Sequence, residues 1–161
     1  MYEHVMMLGM GLLQNLDSSF ISFAKKYYSL VARISLFVIY FGFGFLKLAG
    51  LSPANDLALG FATKMGFGFI SYELYAALAF IECLIGIMIL FPKLVRPTIL
   101  LMITHMLVVS SPLVLYPEAI WVQPFIPNLE GQYIIKNVAL VALALGLVAY
   151  TKPLIRSKSA R

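Results

Sequence analysis

Residues 72–115 read YELYAALAFIECLIGIMILFPKLVRPTILLMITHMLVVSSPLVL, and this stretch decides the fold. Two apolar runs, 72–91 and 95–115, stand around Pro92 and Pro97. A membrane-spanning helix needs about 20 apolar residues, which is the length of each run. Because backbone groups in hydrocarbon must be satisfied within the span, the stretch predicts two spanning helices joined by a very short turn.

Two further runs of similar length, at about 28–51 and 132–150, predict two more spans. Of the 161 residues, 61% are hydrophobic and 12% are charged, whereas soluble domains are about half apolar and a quarter charged. This composition excludes a soluble domain, a disordered chain, a collagen-like fibre and a disulfide-stapled small protein. The sequence therefore predicts an all-α polytopic membrane protein, a four-transmembrane-helix bundle over residues 28–151.

The basic residues in the short flanks and at the ends of the spans predict the orientation of this bundle. Nine of them flank the runs on one side, against Lys64 alone on the other: Lys25, Lys26, Arg33, Lys93, Arg96, Lys152, Arg156, Lys158 and Arg161. The positive-inside rule then places both termini of this multi-pass membrane protein in the cytoplasm. Because the net charge of +5 is explained by topology, it does not indicate nucleic-acid binding.

The segments outside the spans carry weaker signals. The sequence of residues 1–27 predicts an N-terminal tail that contains an interfacial helix and no removable signal peptide. Residues 152–161 are predicted to form a basic cytoplasmic tail. In the 53–70 loop, apolar residues at a spacing of four predict a short helix. In the 116–130 loop, three prolines argue against any regular helix.

Five ionisable residues inside the spans are the best functional candidates: Arg33, Lys47, Glu82, His105 and Lys136. A charge at the bilayer centre costs about 2.5–3.5 kcal/mol, and such residues usually face the bundle interior or water. At 1.5 Å of rise per residue, Glu82 and His105 both lie roughly 13–15 Å deep. Tyr40 falls at a similar depth, so these three side chains are predicted to share the midplane.

Each span also carries a polar stripe at helical spacing. The stripes are Arg33, Tyr40 and Lys47 on the first span, Tyr75, Glu82 and Gly86 on the second, Thr98, His105 and Pro112 on the third, and Tyr133, Lys136, Asn137 and Leu140 on the fourth. Residues seven apart lie on nearly the same helix face. A bundle can therefore gather the four stripes into one interior.

Structural roles compete with functional ones at these positions. The Arg33 side chain can extend to the inner edge of the membrane, where its charge meets water. Lys47 and Lys136 can extend to the outer edge in the same way, or they can pair with a carboxylate of Glu73, Glu82 or Glu130. A neutral His105 bonded to a carbonyl is also a common arrangement, whereas a mid-membrane carboxylate such as Glu82 must be protonated or paired.

The chemistry available to these residues is narrow. A Glu, a His and a Tyr at one depth can shuttle protons or bond the carbonyls of a quinone, and two lysines near the outer face can attract an anion such as a sulfur oxyanion. The sequence has no phosphate-binding, metalloprotease or nucleophile-elbow motif and no metal-ligand spacing. It identifies no catalytic residue, and Cys83 cannot form an intrachain disulfide because it is the one cysteine.

Three motifs in order resemble the DoxX-like family, including its YkgB-type inner-membrane branch. The first is Arg33-Ile-Ser-Leu-Phe followed by Gly42-Phe-Gly-Phe-Leu-Lys47, the second is Glu82-Cys-Leu-Ile-Gly86, and the third is Gly131-Gln-Tyr-Ile-Ile-Lys136-Asn137. The resemblance covers about residues 30–150. It implies a four-helix inner-membrane protein with Arg33, Lys47, Glu82, Lys136 and Asn137 as motif residues, while Tyr40 and His105 are added from depth alone.

Relatives in that family include a membrane subunit of thiosulfate:quinone oxidoreductase and proteins of the oxidative stress response. The sequence thus favours a redox-associated membrane subunit that acts with a partner oxidoreductase, with quinone as the candidate cofactor. Two alternatives stay open. One is a structural or assembly subunit, whose buried charges only hold helices together, and the other is a small proton-coupled transporter that works as a homo-oligomer.

Overall fold

The structure, a computed structural model, describes residues 2–151. For residues 2–9 and 12 only the backbone is described. The predicted basic tail, residues 152–161, lies outside the described residues.

Helices dominate the described part of the chain. Their bounds are α1 Tyr2–Leu48, α2 Asn55–Lys64, α3 Ser71–Ile89, α4 Val95–Ser110, α5 Pro112–Leu115, α6 Pro117–Ile120 and α7 Leu129–Ala149. Short 3-10 turns at Gly68–Ile70 and Pro92–Leu94 precede α3 and α4, and strands β1 (Trp121–Gln123) and β2 (Ile126–Pro127) pair antiparallel before α7.

Four helical segments are long and apolar enough to cross a membrane: Leu13–Leu48, Gly68–Ile89, Pro92–Leu115 and Leu129–Ala149. They coincide with the four apolar runs, and the predicted all-α four-helix architecture of a multi-pass membrane protein is confirmed. The predicted hairpin is also present, because only the turn at Pro92–Leu94 separates the last residues of α3 from α4.

The first helix is much longer than the sequence predicted. It starts at Tyr2 rather than near residue 28 and continues without a break to Leu48. Residues 2–48 contain no proline, so nothing in this segment removes a backbone donor and ends the helix. The N-terminal segment is therefore a continuation of the first span, and its interfacial position stays a prediction.

Prolines shape the connections in two places. Pro112 ends the main helix of the third span, because α4 ends at Ser110 and a separate turn, α5, starts at Pro112 itself. In the 116–130 loop the expectation of no regular helix was wrong over one turn, α6, where Pro117 occupies the first position and needs no donor. The short helix expected in the 53–70 loop is confirmed as α2.

The best-packed part of the bundle lies toward the basic ends of the helices, the predicted cytoplasmic half. Its fully buried side chains are Leu36 on α1, Ile85 and Ile89 on α3, Met102 on α4 and Leu147 on α7, each at most 1% exposed. All four spans therefore contribute to a single apolar core. Elsewhere their outer faces are rich in exposed apolar side chains, as helices facing lipid are.

Two glycines bring α1 and α3 into backbone contact. A Cβ atom added to Gly86 would lie 2.6 Å from the backbone nitrogen of Phe41, and one added to Gly44 would lie 2.8 Å from the carbonyl oxygen of Ala79. Side chains larger than hydrogen do not fit at either point. This close approach sets the distance that the polar side chains of α1 and α3 must bridge.

Candidate functional site

Glu82 lies inside the bundle on α3 and is paired with a lysine from α1. The Lys47 ammonium donates to Glu82, with 2.5 Å between Lys47 Nζ and Glu82 Oε2. The lysine and glutamate side chains are 11% and 8% exposed. Lys47 stands in the last turn of α1, so its long side chain extends inward from the outer end to reach the carboxylate.

His105 approaches the same carboxylate from α4. Its Nε2 lies 3.2 Å from Glu82 Oε1, and its side chain is 3% exposed. The contact is within ion-pairing distance but lacks hydrogen-bond alignment, since Nδ1 and Nε2 are both buried without a hydrogen-bond partner. Because more than nine in ten buried polar groups are bonded, two orphaned nitrogens on one ring form an unusual site.

Tyr40 of α1 completes the group. Its ring meets the His105 ring edge-on, with centroids 5.6 Å apart and planes at 63°. The residue is 3% exposed, and its hydroxyl is also buried without a hydrogen-bond partner. Tyr40, Lys47, Glu82 and His105 are called the buried cluster below.

The buried cluster combines one complete ion pair with unused hydrogen-bonding capacity. The Lys47–Glu82 pair satisfies the charges, and the Glu82 carboxylate has a second oxygen facing the imidazole. The hydroxyl of Tyr40 and the ring of His105 can each donate or accept one further bond. A polar guest such as a water molecule or a ligand carbonyl would satisfy them, and the imidazole and carboxylate can then exchange a proton with it.

Four of the seven candidate residues thus meet in space, and the helical stripes explain why. Tyr75, Glu82 and Gly86 are buried along α3, and Thr98, His105 and Pro112 are buried along α4 and α5. The predicted stripes on these two spans therefore do face the interior. Cys83, one position from Glu82, packs with its thiol 3.8 Å from the Phe41 carbonyl oxygen at the α1–α3 contact.

Arg33 is buried but stands apart from the cluster. Its guanidinium donates to the carbonyl oxygen of Ile89 at 2.6 Å and to the Ser29 hydroxyl at 3.3 Å. Instead of snorkelling away from the bundle, as one interpretation of the sequence had it, the side chain ties α1 to the final turn of α3. The residue is 9% exposed, so this contact belongs to the well-packed half of the bundle toward the basic helix ends.

Lys136 and Asn137 are not brought into the cluster. Lys136 is exposed, with its ammonium 5.1 Å from the centre of the Tyr133 ring, and Asn137 is half-buried. The buried positions on α7 are Gly131, Ala144 and Leu147. The polar stripe predicted for the fourth span therefore does not reach the Lys47–Glu82 pair.

The structure adds two polar contacts at the outer end that were not predicted. Tyr75, one stripe position from Glu82, donates its hydroxyl to Asn55 Oδ1 at the start of α2. Lys64 at the end of α2 pairs with Glu118 and lies 4.9 Å from the centre of the Tyr116 ring. The spacing of Tyr75 from Glu82 was visible in the sequence, whereas pairing between loops 54 residues apart has no local signal.

Beside the second contact lies a shallow depression of about 240 Å³, lined by Asp56, Leu57, Tyr116, Ala119, Asn128 and Glu130. It is open to the outside. The Lys64 ammonium lowers the pKa of the neighbouring Glu118 carboxyl by hydrogen bonding.

Comparison of the chain with protein-family models, with curated proteins and with solved structures finds no match. Among the described side chains, no three His, Cys, Asp or Glu residues are grouped to hold a metal ion.

Proposed function

We propose that the protein is a DoxX-like, quinone-linked membrane subunit of the inner membrane that works with a partner oxidoreductase in the oxidative stress response. The observation that carries this proposal is the pair of buried polar side chains, Tyr40 and His105, that lack hydrogen-bond partners beside the Lys47–Glu82 ion pair. Burying a polar group without a hydrogen bond costs free energy. The two unpartnered side chains therefore favour a ligand that forms hydrogen bonds with them.

The donor chemistry of the cluster fits a quinone headgroup. A quinone carries carbonyl oxygens, which accept hydrogen bonds, and the Tyr40 hydroxyl and the His105 ring are both potential donors in a water-poor interior. When bound, a quinone supplies two-electron, two-proton redox chemistry. The residues of this chain would hold the headgroup through Tyr40 and His105, and Glu82 would accept or return a proton through the adjacent imidazole.

Lys47 has an auxiliary part in this proposal. Its ammonium, 2.5 Å from Glu82 Oε2, stabilises the ionised carboxylate when the cluster has given up a proton. An ion pair so nearly buried keeps its strength because little water screens it.

Binding of a short-chain quinone tests the proposal directly. We expect decylubiquinone to bind the purified protein in detergent micelles or nanodiscs, as measured by calorimetry. Loss of one hydrogen bond is worth about 0.5–1.5 kcal/mol, so Tyr40→Phe is expected to weaken binding roughly two- to tenfold. Glu82→Gln and His105→Ala are expected to weaken it at least as much.

Two matched controls separate a site effect from a general one. Tyr133→Phe changes an exposed tyrosine of α7, and Glu73→Gln changes an exposed glutamate of α3; neither is expected to alter binding. If decylubiquinone does not bind, or if Tyr40→Phe, His105→Ala and Glu82→Gln bind it as the unaltered protein does, the quinone-linked function is wrong.

A structural or assembly role is the second candidate, favoured by the Lys47–Glu82 pair itself. This ion pair joins α1 to α3 close to the glycine contacts of the same two helices. In that case Glu82→Gln lowers stability or partner association, and no ligand affinity changes. Unfolding measurements made on the same variants as the binding experiment distinguish the two candidates.

A further inference from the structure

The two halves of the bundle on either side of the buried cluster differ in polarity. Toward the cytoplasmic end lie Leu36, Ile85, Ile89, Met102 and Leu147, each at most 1% exposed. These positions follow Glu82 on α3 and precede Tyr40 and His105 on α1 and α4, so they close the path from the cluster to the predicted cytoplasmic side. Buried apolar side chains carry no hydrogen-bond donor or acceptor, so these residues provide no route of hydrogen bonds.

Among the described residues, the buried polar side chains of the cytoplasmic half are Arg33 and Thr98, and both are engaged locally. The Arg33 guanidinium donates to the Ile89 carbonyl oxygen at 2.6 Å, at the end of α3. The Thr98 hydroxyl donates to the Leu94 carbonyl oxygen of its own helix at 2.6 Å. Both bonds satisfy helix-terminal or backbone groups, and neither extends toward Glu82.

Toward the outer end, by contrast, buried or half-buried polar side chains lie between the cluster and the loop. Lys47 reaches Glu82 from the last turn of α1, and its side chain is 11% exposed. Tyr75 lies on the same face of α3 as Glu82, two turns nearer the outer end. Its hydroxyl bonds Asn55 Oδ1, and Asn55 is half-buried at the start of α2.

We propose that the buried cluster exchanges protons with the outer side of the membrane alone, by way of Lys47 and the Tyr75–Asn55 contact. A proton moves between water and a buried base through polar groups or trapped water, and among the described residues the outer half is the one whose polar side chains lie beside the cluster. The titratable groups around Glu82 are Lys47 from α1 and His105 from α4, which contact its carboxylate, Tyr40 from α1, which packs on His105, and Tyr75 and Cys83 of its own helix. From α7 the core receives Ala144 and Leu147, which are apolar.

This inference rests on the proton-handling part of the proposed function and gives it a direction. A proton taken up by Glu82 or His105 comes from outer water, and a proton released returns there. Chemistry at the cluster would then consume or deliver protons on the side opposite the basic flanks.

The histidine content of the chain allows a direct test. The chain has two histidines, His4 and His105. Labelling the histidine rings with ¹⁵N therefore gives NMR signals from these two residues alone. The full chain is reconstituted into liposomes in one orientation, checked with a C-terminal epitope tag. Solid-state NMR then records the ring signals while the pH is changed on one side only, and a His4→Gln variant identifies the His105 signal.

We expect the His105 signal to shift when the outer pH changes and to stay fixed when the cytoplasmic-side pH changes. A shift with the cytoplasmic-side pH, or no shift with either, overturns the proposal. Tyr75→Phe is expected to slow the response to an outer pH jump, whereas Tyr72→Phe, at an exposed position on the same helix, is expected to leave it unchanged. An equal rate in both variants contradicts the route through Tyr75.

The NMR experiment contains no quinone, so its result is independent of the proposed ligand. If quinone binding is absent and the outer-side response is present, the proposed function fails and the sidedness stands. If quinone binds normally and the response comes from the cytoplasmic side, the sidedness alone fails.

Discussion

Lys47 Nζ lies 2.5 Å from Glu82 Oε2, and this contact links the outer end of α1 to the middle of α3. Both side chains are about nine-tenths buried. A pair in such surroundings gains strong Coulomb attraction but gives up the hydration of two ions. Its net contribution to stability is therefore small compared with the penalty for leaving either charge without the other.

The first prediction follows from this asymmetry. Lys47→Met leaves the Glu82 carboxylate buried without its counter-ion and is expected to lower the free energy of unfolding by about 3–5 kcal/mol. The double variant Lys47→Met with Glu82→Leu removes both charges and is expected to be close to the unaltered protein. Denaturant unfolding in micelles measures all the variants. A double variant that is no more stable than Lys47→Met would show that the unpaired Glu82 charge is not the source of the loss.

The second prediction concerns the unpartnered hydroxyl of Tyr40. Because this hydroxyl is buried without a hydrogen bond, Tyr40→Phe is expected to leave stability unchanged or to raise it, even though the same change weakens quinone binding. Tyr75→Phe is the matched comparison, since that hydroxyl bonds Asn55, and it is expected to lose about 0.5–1.5 kcal/mol. A larger loss for Tyr40→Phe than for Tyr75→Phe in the same unfolding measurement contradicts the prediction.

The positions of the spans and of the buried cluster follow from sequence for a physical reason. Run length fixes where a helix can cross a bilayer, and depth along the helix follows from the fixed rise per residue. Glu82, His105 and Tyr40 could therefore be placed at one level before their contacts were known. Lys47 joins them because its side chain is long enough to extend inward from the last turn of α1.

Sharing a helix face does not by itself bring Arg33 or Lys136 to the cluster. Arg33 shares the face of Tyr40 but stands seven residues away, about 10 Å along the helix, and it bonds Ile89 instead. Lys136 follows the buried Gly131 by five positions, which is about 140° around a helix of 3.6 residues per turn. How far α7 rotates against its neighbours depends on tertiary packing, which local sequence does not determine.

The third prediction uses the outer loops. The Lys64 ammonium lowers the pKa of the Glu118 carboxyl below its ordinary value of 4.5 by hydrogen bonding. A carboxyl whose pKa is lower in the folded state contributes stability above its unfolded pKa and loses it as the pH falls through the folded value. We expect a small contribution that begins to be lost as the pH falls below 4.5, the ordinary pKa of this carboxyl, and that weakens in high salt.

Thermal unfolding scans of the unaltered protein and of Glu118→Gln test this prediction. The two melting temperatures are expected to differ slightly at neutral pH and low salt and to converge at acidic pH. Glu130→Gln, at another exposed outer carboxylate, controls for the loss of one negative charge. A gap between the unaltered protein and Glu118→Gln that widens toward low pH is incompatible with the Lys64 contact as its cause.

The fourth prediction concerns the close contact of α1 and α3, which holds Lys47 within reach of Glu82. Gly86→Ala places a Cβ atom 2.6 Å from the backbone nitrogen of Phe41, and backbone cannot move aside as a flexible side chain can. The two helices must separate, and both stability and quinone affinity are expected to fall, the first by about 1–3 kcal/mol as in other overpacked cores.

Gly42→Ala is the matched control on the opposite helix of this contact. A Cβ atom at Gly42 meets nothing within 4 Å, and replacing glycine by alanine inside a helix favours the helix by up to about 1 kcal/mol. We therefore expect the two substitutions to have opposite signs in unfolding measurements on the same preparation. If Gly86→Ala proves as stable as Gly42→Ala, helix α1 does not approach α3 this closely, and the Lys47–Glu82 pair loses its geometric basis.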